Sequence, residues 1–461
     1  MGKKGTAMLL SLIFMGAGQL FTKFFLKGLI LILIEIYVII SIPKIVPILH
    51  GFSTLGTQAQ SMNLTNMVMT KGDNSLILLF NGGLMWFIIA VFILLYIVQI
   101  FDAGNCVKYL EEKGNPPLFW GYIKEFYDRN FTSLFLIPAV IGIFALIILP
   151  MLLTVMVAFT NYSSPDHIPP HSLFQWVALQ NFQVLYKQLG TWGYTFIHLF
   201  IWTLIFAICS IILQFVFGMI LALLTTNKHI KFKGFWRGIL ILPYAVPAFV
   251  SIMVFSVGFS VGAPFQNICS TLLLHIAHFG WMIWPIKTAG MTAWYTTTLL
   301  PTLSNQLMQS PLFAKILILA VNTWLGMSWF MMLISGALTN VSESLYEAAE
   351  IDGASKSKQF RFITLPIVLY QTAPILVLSF AFNFNNFNII YLLTGGGPLN
   401  ASYRYAGHSD ILISWVYNLT LTQSQFAIAS VIAIFIFIFI AIITLIMFLK
   451  TKMFKEEGMI Q

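Results

Sequence analysis

Charged side chains are scarce in this sequence, and their scarcity excludes most classes of protein. Only 8% of the 461 residues are charged, whereas 59% are hydrophobic, and the mean hydropathy is +0.88. A typical soluble domain carries about 25% charged residues, because its surface has to be hydrated. The composition therefore excludes an ordinary soluble globule and predicts an all-α, polytopic transmembrane protein.

Cysteine is also scarce. The three cysteines, Cys106, Cys209 and Cys269, are scattered without the paired spacing of a zinc site, and they define no disulfide framework. His275 and His278 lie three residues apart and can share a helical face, but no third ligand accompanies them. We therefore predict no metal site.

The motifs of an enzyme are missing as well. The sequence has no GxxxxGK[ST] loop, and the glycines at 395–397 follow an apolar helical stretch, so they predict a turn. No Ser/His/Asp, Cys/His or paired-carboxylate arrangement is evident. We therefore expect a chain that is not an enzyme, that binds no cofactor, and that leaves ATP and Mg²⁺ to a partner.

Long apolar runs are abundant, and eight of them are long enough to cross a bilayer. These predicted spans lie near residues 28–49, 77–101, 133–159, 196–224, 238–260, 313–338, 372–393 and 426–449. The run at 7–21 is too short to cross and predicts an interfacial or re-entrant segment. Residues 262–311 hold aromatics and short apolar patches, which favour an outer loop lying in the membrane interface.

The positive charge is spread along the chain. A net charge of +9 could indicate a nucleic-acid-binding protein, but the basic residues lie between apolar runs and form no continuous patch. We therefore expect membrane lipid around the chain and no nucleic-acid partner. If the N-terminus is inside, most basic residues fall in inner loops, as the positive-inside rule requires. We therefore expect a protein of the plasma or inner membrane with both termini in the cytoplasm.

Glu35 lies inside the first predicted span. A lone carboxylate at that depth is a candidate functional group, such as the ion site of a secondary transporter. A buried hydrogen bond to a neighbouring helix is the other interpretation, and the sequence leaves both open.

The long polar interval at 342–371 predicts two short helices. Ser344 followed by Glu347 is typical of a capping box, and Gly353 can end the first helix in the left-handed conformation. The second helix, which carries three basic residues, is expected to stop near Leu365 and Pro366. A solvated helix-turn-helix between two spans is the plainest interpretation of this pattern.

The spacing within this interval supports a more specific interpretation. Glu347, Ala348, Ala349, Gly353, Ile363, Leu365 and Pro366 reproduce the EAA motif with its gaps, so the chain resembles the permease subunits of ABC importers. The resemblance implies that the loop at 339–371 docks on a cytoplasmic ATPase, with Glu347 as the anionic contact and Gly353 as the elbow. The implied coupling residues are Glu347, Ala348, Ala349, Asp352, Gly353, Leu365 and Pro366.

Two later spans carry clusters of polar and aromatic residues. One reads NTWLGMSWFMM and the other LSFAFNFNNFNIIYLLTGGGP. Several asparagines in one crossing helix cannot all face lipid, because each unpaired amide in hydrocarbon costs on the order of a few kcal/mol. They must therefore meet a partner helix, trapped water or a ligand. A sugar is a suitable ligand, because its hydroxyls bind amides and its CH faces stack on rings, but hydrogen bonding between helices is the plainer interpretation of the residues alone.

Further strings resemble the larger, MalF-like permease of maltose and maltodextrin importers. They are RGILILPYAVPAFVSIMVF, where Pro243 and Pro247 predict a broken helix, FAFNFNNF, YLLTGGGP and AGHSDILISWVYNLT. From the residues alone, that break either is tolerated by its neighbours or exposes Tyr244 to a cavity. The resemblance implies sugar contacts at Tyr244, Trp324, Gly326, Trp329, Phe382, Asn383 and Asn386. Trp329 departs from the family pattern, where we expect tyrosine, so the preferred sugar length stays open.

The resemblance implies a domain organisation and a set of partners. We predict an N-terminal region at 1–130 with an interfacial segment, two spans and a cytoplasmic loop, then a six-span permease core at 131–449 and a tail at 450–461. The implied partners are a second permease, a homodimeric ATPase, an extracytoplasmic sugar-binding protein and an oligosaccharide. Galacto-oligosaccharides or cyclodextrins are alternative substrates, and an ion-coupled transporter or a membrane scaffold is an alternative class.

Overall fold

A computed structural model describes most of the chain, namely residues 2–63, 68–69, 71–116, 119–187, 191–227, 230–260, 268 and 309–450. The described residues form two compact units: Met1–Asn181 with Gln425–Ser430, and Phe182–Ser424 with Val431–Gln461. This division by contacts differs from the boundary predicted after residue 130, which stays a prediction.

The first unit is built from helices. They are α1 (Lys3–Ile13), α2 (Ala17–Phe21), α3 (Phe25–Thr54), α4 (Ser75–Lys113), α5 (Phe119–Ile143) and α6 (Leu149–Ala158), with a π-helical turn at Phe144–Ile148 between the last two. A two-stranded antiparallel ladder pairs β1 (Met62–Asn63) with β2 (Val68–Met69). Apolar residues Leu55, Leu79 and Phe174 are fully buried and make a small core.

The segment predicted to be too short for a span forms α1 and α2. Neither helix is long enough to cross the bilayer, because α1 has 11 residues and rises only about 17 Å. Polar side chains hold these helices against α4. Gln19 Nε2 donates to the carbonyl of Gln99 at 2.9 Å, and Gln99 Nε2 donates to the carbonyl of Ser11 at 2.7 Å.

The second unit contains the remaining helices. They are α7 (Gln180–Lys187, shared with the first unit), α8 (Trp192–Thr226), α9 (Lys233–Ala245), α10 (Ala248–Gly258), α11 (Pro311–Thr339), α12 (Glu343–Ile351), α13 (Lys356–Gln359), α14 (Leu365–Phe384), α15 (Phe387–Leu393), α16 (Leu412–Leu421) and α17 (Phe426–Lys450, also shared with the first unit). Helices α8 and α11 pack along each other and bury Phe215, Phe330 and Met331. This pair forms the centre of the unit.

The number of candidate spans in the described part of the chain matches the predicted eight when the bent pair α9 and α10 counts as one span. Seven helices are long and apolar enough to cross a membrane, and α9 and α10 pass the same test when the two are counted together. The bend is 84° and lies between Ala245 and Ala248, at Pro247, with Pro243 inside α9, so the break predicted from the two prolines is present. The chain is therefore an all-α, multi-pass membrane protein.

The capping-box prediction at 344–347 is wrong. Helix α12 starts after Ser342, whose side chain caps no backbone amide, and Ser344 lies inside the first turn. The two hydroxyl oxygens instead lie 2.7 Å apart. A hydroxyl bonded to another side chain competes with capping of the free amides, and the spacing of residues does not show this competition.

The predicted stop at Leu365 and Pro366 is also wrong. Helix α13 runs through a π-helical turn at Phe360–Thr364 directly into α14. The Leu365 amide donates to the Phe360 carbonyl, five residues earlier, which is the π-helical pattern. Pro366 therefore lies in the first turn of the next α-helical segment, where a backbone N–H is not required. The crossing helix thus begins at Lys356, well before the predicted residue 372.

The end of this span differs from the prediction too. The predicted crossing at 372–393 is interrupted, because α14 ends at Phe384 and α15 begins after Asn386. Asparagine favours helix ends because its amide competes with backbone hydrogen bonds.

Cys106 and Cys209 are free thiols. Cys269, His275, His278 and nearly all of the predicted outer loop at 262–311 lie outside the described residues.

Candidate functional site

The loop that carries the EAA motif is an exposed helix held at its base. Glu347 and Ala348 are exposed on α12, and Ile351 at its end is 88% exposed. The Tyr346 and Thr364 hydroxyl oxygens lie 2.8 Å apart, which ties α12 to the start of the crossing helix. An apolar residue so exposed on a short, anchored helix is suited to contact with another protein.

Glycine forms the elbow of this loop. Gly353 has a φ of +72°, in the left-handed region, and the Ala354 amide donates to the Ala349 carbonyl at 2.8 Å to close the helix. The predicted elbow is therefore confirmed as a conformation. Asp352 is the exposed C-cap residue, and Leu365 and Pro366 lie in the first turn of α14.

An ion pair fixes the second arm of the loop. Lys356 donates to Glu350 across the elbow. This hydrogen bond, with the positive charge of Lys356, holds the pKa of the Glu350 carboxyl below its usual value. The pair is exposed and contributes little to stability. It engages the Glu350 carboxylate, whereas Glu347 is an exposed acidic side chain one turn earlier on α12.

The asparagines predicted to contact sugar form a network across helices. Asn322 of α11 donates from Nδ2 to Asn383 Oδ1 at 2.9 Å, and Asn386 Nδ2 donates to Asn322 Oδ1 at 3.1 Å. Asn383 Nδ2 donates to the carbonyl of Ser379 at 2.9 Å. The structure thus brings Asn383 and Asn386 together, and it satisfies Asn383 by hydrogen bonding between helices.

Phe382, Asn383 and Asn386 are implied sugar contacts within the span predicted at 372–393, and they do not share one helical face. Phe382 is 70% exposed on this chain, whereas Asn383 is 2% exposed. The prediction assumed an unbroken helix, but Asn385 ends α14 and Asn386 begins α15, so the direction of Asn386 is set by a new helix. Adjacent residues on one helix point about 100° apart, which separates Phe382 from Asn383.

Gly326 and Trp329, two further implied sugar contacts on α11, face two different neighbouring helices. Gly326 faces α8, where Gln214 packs against its backbone. Trp329 faces α9, and its ring centroid lies 5.4 Å from that of Tyr244. The two aromatic side chains are both substantially exposed, so they present a stacking surface at the broken span.

Trp324 belongs to a third surface. Its ring meets Phe255 of α10 edge to face, with centroids 5.2 Å apart. The predicted sugar-contact residues therefore surround α11 and do not all lie on one face of it. Tyr244 of α9 and Trp329 of α11 form an aromatic pair, and Asn383 and Asn386 belong to the amide cluster. Gly326 lies against α8, Trp324 against α10, and Phe382 is exposed.

Glu35 makes the kind of bond that its second interpretation predicted. Its carboxylate accepts a hydrogen bond from the Met15 amide at 2.7 Å and so caps the turn between α1 and α2. Met15 is buried. The contact explains a carboxylate at that depth without an ion pathway. Within the described residues, no group of three or more His, Cys, Asp or Glu side chains is placed to hold a metal ion.

Sequence reasoning missed the residues that hold the amide network. Asn322 is the hub, and Ser210 and Gln214 of α8 contact it from the other side. Both α8 residues are almost fully buried. The available signal was a serine and a glutamine four residues apart, on one face of a very apolar span.

Comparisons with known proteins agree with this architecture. A family model described as "Binding-protein-dependent transport system inner membrane component" matches residues 214–453. The maltodextrin transport system permease protein MalC of Streptococcus pneumoniae is 35% identical over 456 residues, which covers 98% of this chain and 97% of the relative. The galactooligosaccharides transport system permease protein GanP of Bacillus subtilis is 34% identical over 468 residues, which covers 99% and 100%.

A solved structure shares the fold. It belongs to a bacterial ABC transporter involved in the import of the acidic polysaccharide alginate, with a TM-score of 0.51, 18% identity, and coverage of 72% of this chain and 98% of that one. At that identity the likeness concerns the fold alone. The family model and the full-length relatives carry the assignment: this chain belongs to the binding-protein-dependent transport system inner membrane components, the permease subunits of ABC importers.

Proposed function

We propose that this chain is a permease subunit that carries maltodextrins into the cell by alternating access. The observation that supports this substrate class most directly is the 35% identity to a maltodextrin permease across 98% of the chain. The exposed aromatic rings of Tyr244 and Trp329 and the amides around Asn322 are groups that bind the apolar faces and hydroxyls of a sugar.

The energy comes from a separate ATPase in this proposal. Two copies of a cytoplasmic ABC ATPase bind ATP and Mg²⁺. This chain and a second, related permease together form the transmembrane pore. Closure of the ATPase pair acts on α12, whose Glu347, Ala348 and Ile351 are exposed. The Tyr346 contact with Thr364 passes that movement to the helix that runs into α14.

Orientation follows from the same proposal. The EAA loop lies in the cytoplasm, and both termini lie there as well, because most basic residues then fall on the inner side. An extracytoplasmic binding protein delivers sugar at the opposite face, as the family description implies. Sugar passes from that protein towards Asn386 and the aromatic pair.

Galacto-oligosaccharides are the second candidate substrate. The 34% identity to a galactooligosaccharide permease extends over 99% of the chain, so similarity alone separates the two sugars poorly. Cyclodextrins also suit a wall of rings and amides. An ion-coupled transporter is disfavoured, since Glu35 serves as a hydrogen-bond acceptor for Met15.

Co-purification followed by an oligosaccharide screen tests the proposal. The chain is isolated from membranes with its partners, and ATPase activity is measured with its binding protein and each sugar. We expect a nucleotide-hydrolysing companion and stimulation by maltodextrins. A purified assembly without an ATPase contradicts the importer assignment, and stimulation by galacto-oligosaccharides alone contradicts the substrate.

A further inference from the structure

We propose that Ser210 and Gln214 of α8 are positioning residues for the sugar site, which they orient through Asn322. The inference rests on the proposed function, because it takes Asn383 and Asn386 as sugar contacts. Neither α8 residue is itself offered as a contact. Their part is to hold the amides of α11, α14 and α15 in one arrangement.

Ser210 gives the Asn322 amide a hydrogen-bond partner on α8. Asn322 Nδ2 donates to Ser210 Oγ at 2.9 Å and to Asn383 Oδ1 at 2.9 Å, while Asn322 Oδ1 accepts from Asn386. If the amide turned over, its oxygen would face the Asn383 oxygen and its nitrogen would face the Asn386 nitrogen. Ser210 is fully buried, and its hydroxyl attaches the Asn322 amide to α8, while the Asn383 oxygen and the Asn386 nitrogen set which way that amide is turned.

Gln214 fixes the backbone of the same residue. Its Nε2 donates to the carbonyl oxygen of Asn322 at 3.0 Å, and its side chain is 5% exposed. Gly326 allows this approach, since a Cβ atom there would lie 2.3 Å from the Gln214 side chain. Gln214 and Ser210 thus bind one residue at two points, on its backbone and on its side chain.

Such a double attachment matters at a binding site in hydrocarbon. A polar site binds a ligand well when its groups are held in place before binding, because less freedom is lost on association. With Asn322 held from α8, Asn383 and Asn386 keep fixed positions whether or not sugar is present. Without that support, the three amides can exchange partners and no longer match the sugar hydroxyls.

Direct sugar binding tests the inference. The complete permease and ATPase assembly is purified with Ser210→Ala or Gln214→Met, arrested with ATP and vanadate, and titrated with a labelled maltodextrin. Thr225→Val is the matched control, because Thr225 is buried on the same helix and its hydroxyl donates to the Leu221 carbonyl of that helix at 2.9 Å. ATPase activity and the amount of assembly in the membrane are measured in parallel.

We expect each α8 variant to raise the dissociation constant about three- to tenfold, the size expected for one lost hydrogen bond, with assembly and maximal ATPase rate near those of the unchanged protein. Thr225→Val should bind as the unchanged protein does. Because Ser210 acts through the Asn322 side chain, Ser210→Ala should add no further loss in an Asn322→Ala background.

Several results would overturn the inference. Unchanged dissociation constants in both α8 variants would do so, as would additive losses of Ser210→Ala and Asn322→Ala. Failure of both variants to assemble, while Thr225→Val assembles, would assign them a structural role only. If the unchanged assembly binds no oligosaccharide, the proposed function fails first, and that result is visible before any variant is made.

Discussion

Gly326 and Gln214 meet with no room between them. A Cβ atom on Gly326 would lie 2.3 Å from the Gln214 side chain, closer than such contacts occur in proteins. This approach brings α8 against α11 at the level of the amide cluster and lets Gln214 reach the Asn322 carbonyl. The glycine predicted as a sugar contact therefore has a packing role.

Gly326→Ala should consequently destabilise the contact between these helices. Overpacking of this kind typically costs about 1–3 kcal/mol, since the glutamine has to move and lose its bond. We expect a lower melting temperature and weaker sugar binding. Gly336→Ala on the same helix is the control, because a Cβ there meets nothing within 4 Å. Equal behaviour of the two variants would contradict this account.

Glu347→Lys should uncouple transport. A positive charge replaces the exposed acidic side chain of α12, so the contact with the ATPase is expected to fail while insertion is intact. Uptake should fall by at least about tenfold, the effect of losing roughly 1.4 kcal/mol of interaction. Membrane levels and sugar uptake are the measurements.

The matched control for that variant is Glu343→Lys, which makes the same charge change in the first turn of α12. It should retain most of the uptake. Normal uptake in Glu347→Lys would refute the coupling role that the EAA motif implies.

Asn383→Ala and Asn386→Ala should each reduce sugar uptake at normal membrane levels. Truncation removes an amide and also leaves Asn322 with an unmatched group, so we expect a loss of tenfold or more. Asn385→Ala, at the exposed end of α14, is the control. A membrane scaffold would tolerate all three changes, and full uptake in the first two would favour that class.

The loop before α16 should loosen in acid. Burial, with the nearby Lys315 ammonium, lowers the pKa of His408 below its usual value near 6.5. The folded loop thus binds fewer protons than the unfolded one, so stability rises with pH and is lost as the pH falls below about 6.5. The effect is small, because the ring is partly exposed.

Hydrogen exchange measures this prediction. The His408 amide donates to the Pro398 carbonyl at 2.8 Å, and its protection, corrected for the intrinsic effect of pH, should fall between pH 7.5 and pH 5.5. His408→Gln has no ring to protonate and should remove the difference. Greater protection at pH 5.5 in the unchanged protein would reverse the assigned sign.

The sequence predicted the membrane class and the number of spans well, since hydrocarbon imposes its length on every crossing segment. It also located the break at Pro243 and Pro247 and the left-handed elbow at Gly353, where local covalent geometry restricts the backbone. It failed at Ser344 and at Pro366. There, the outcome depended on a competing hydroxyl and on a shift of hydrogen-bond register.

By itself, then, the sequence determined that this protein spans a membrane and where its EAA loop bends, because hydrophobic length and backbone restriction are properties of short segments. Only the tertiary structure decided which polar groups each buried amide contacts. Asn322, Asn383, Ser210 and Gln214 come from three helices that are distant in the chain, and their partners were fixed when those helices packed. A buried amide binds whatever polar group the packing presents, and spacing along one helix does not contain that information.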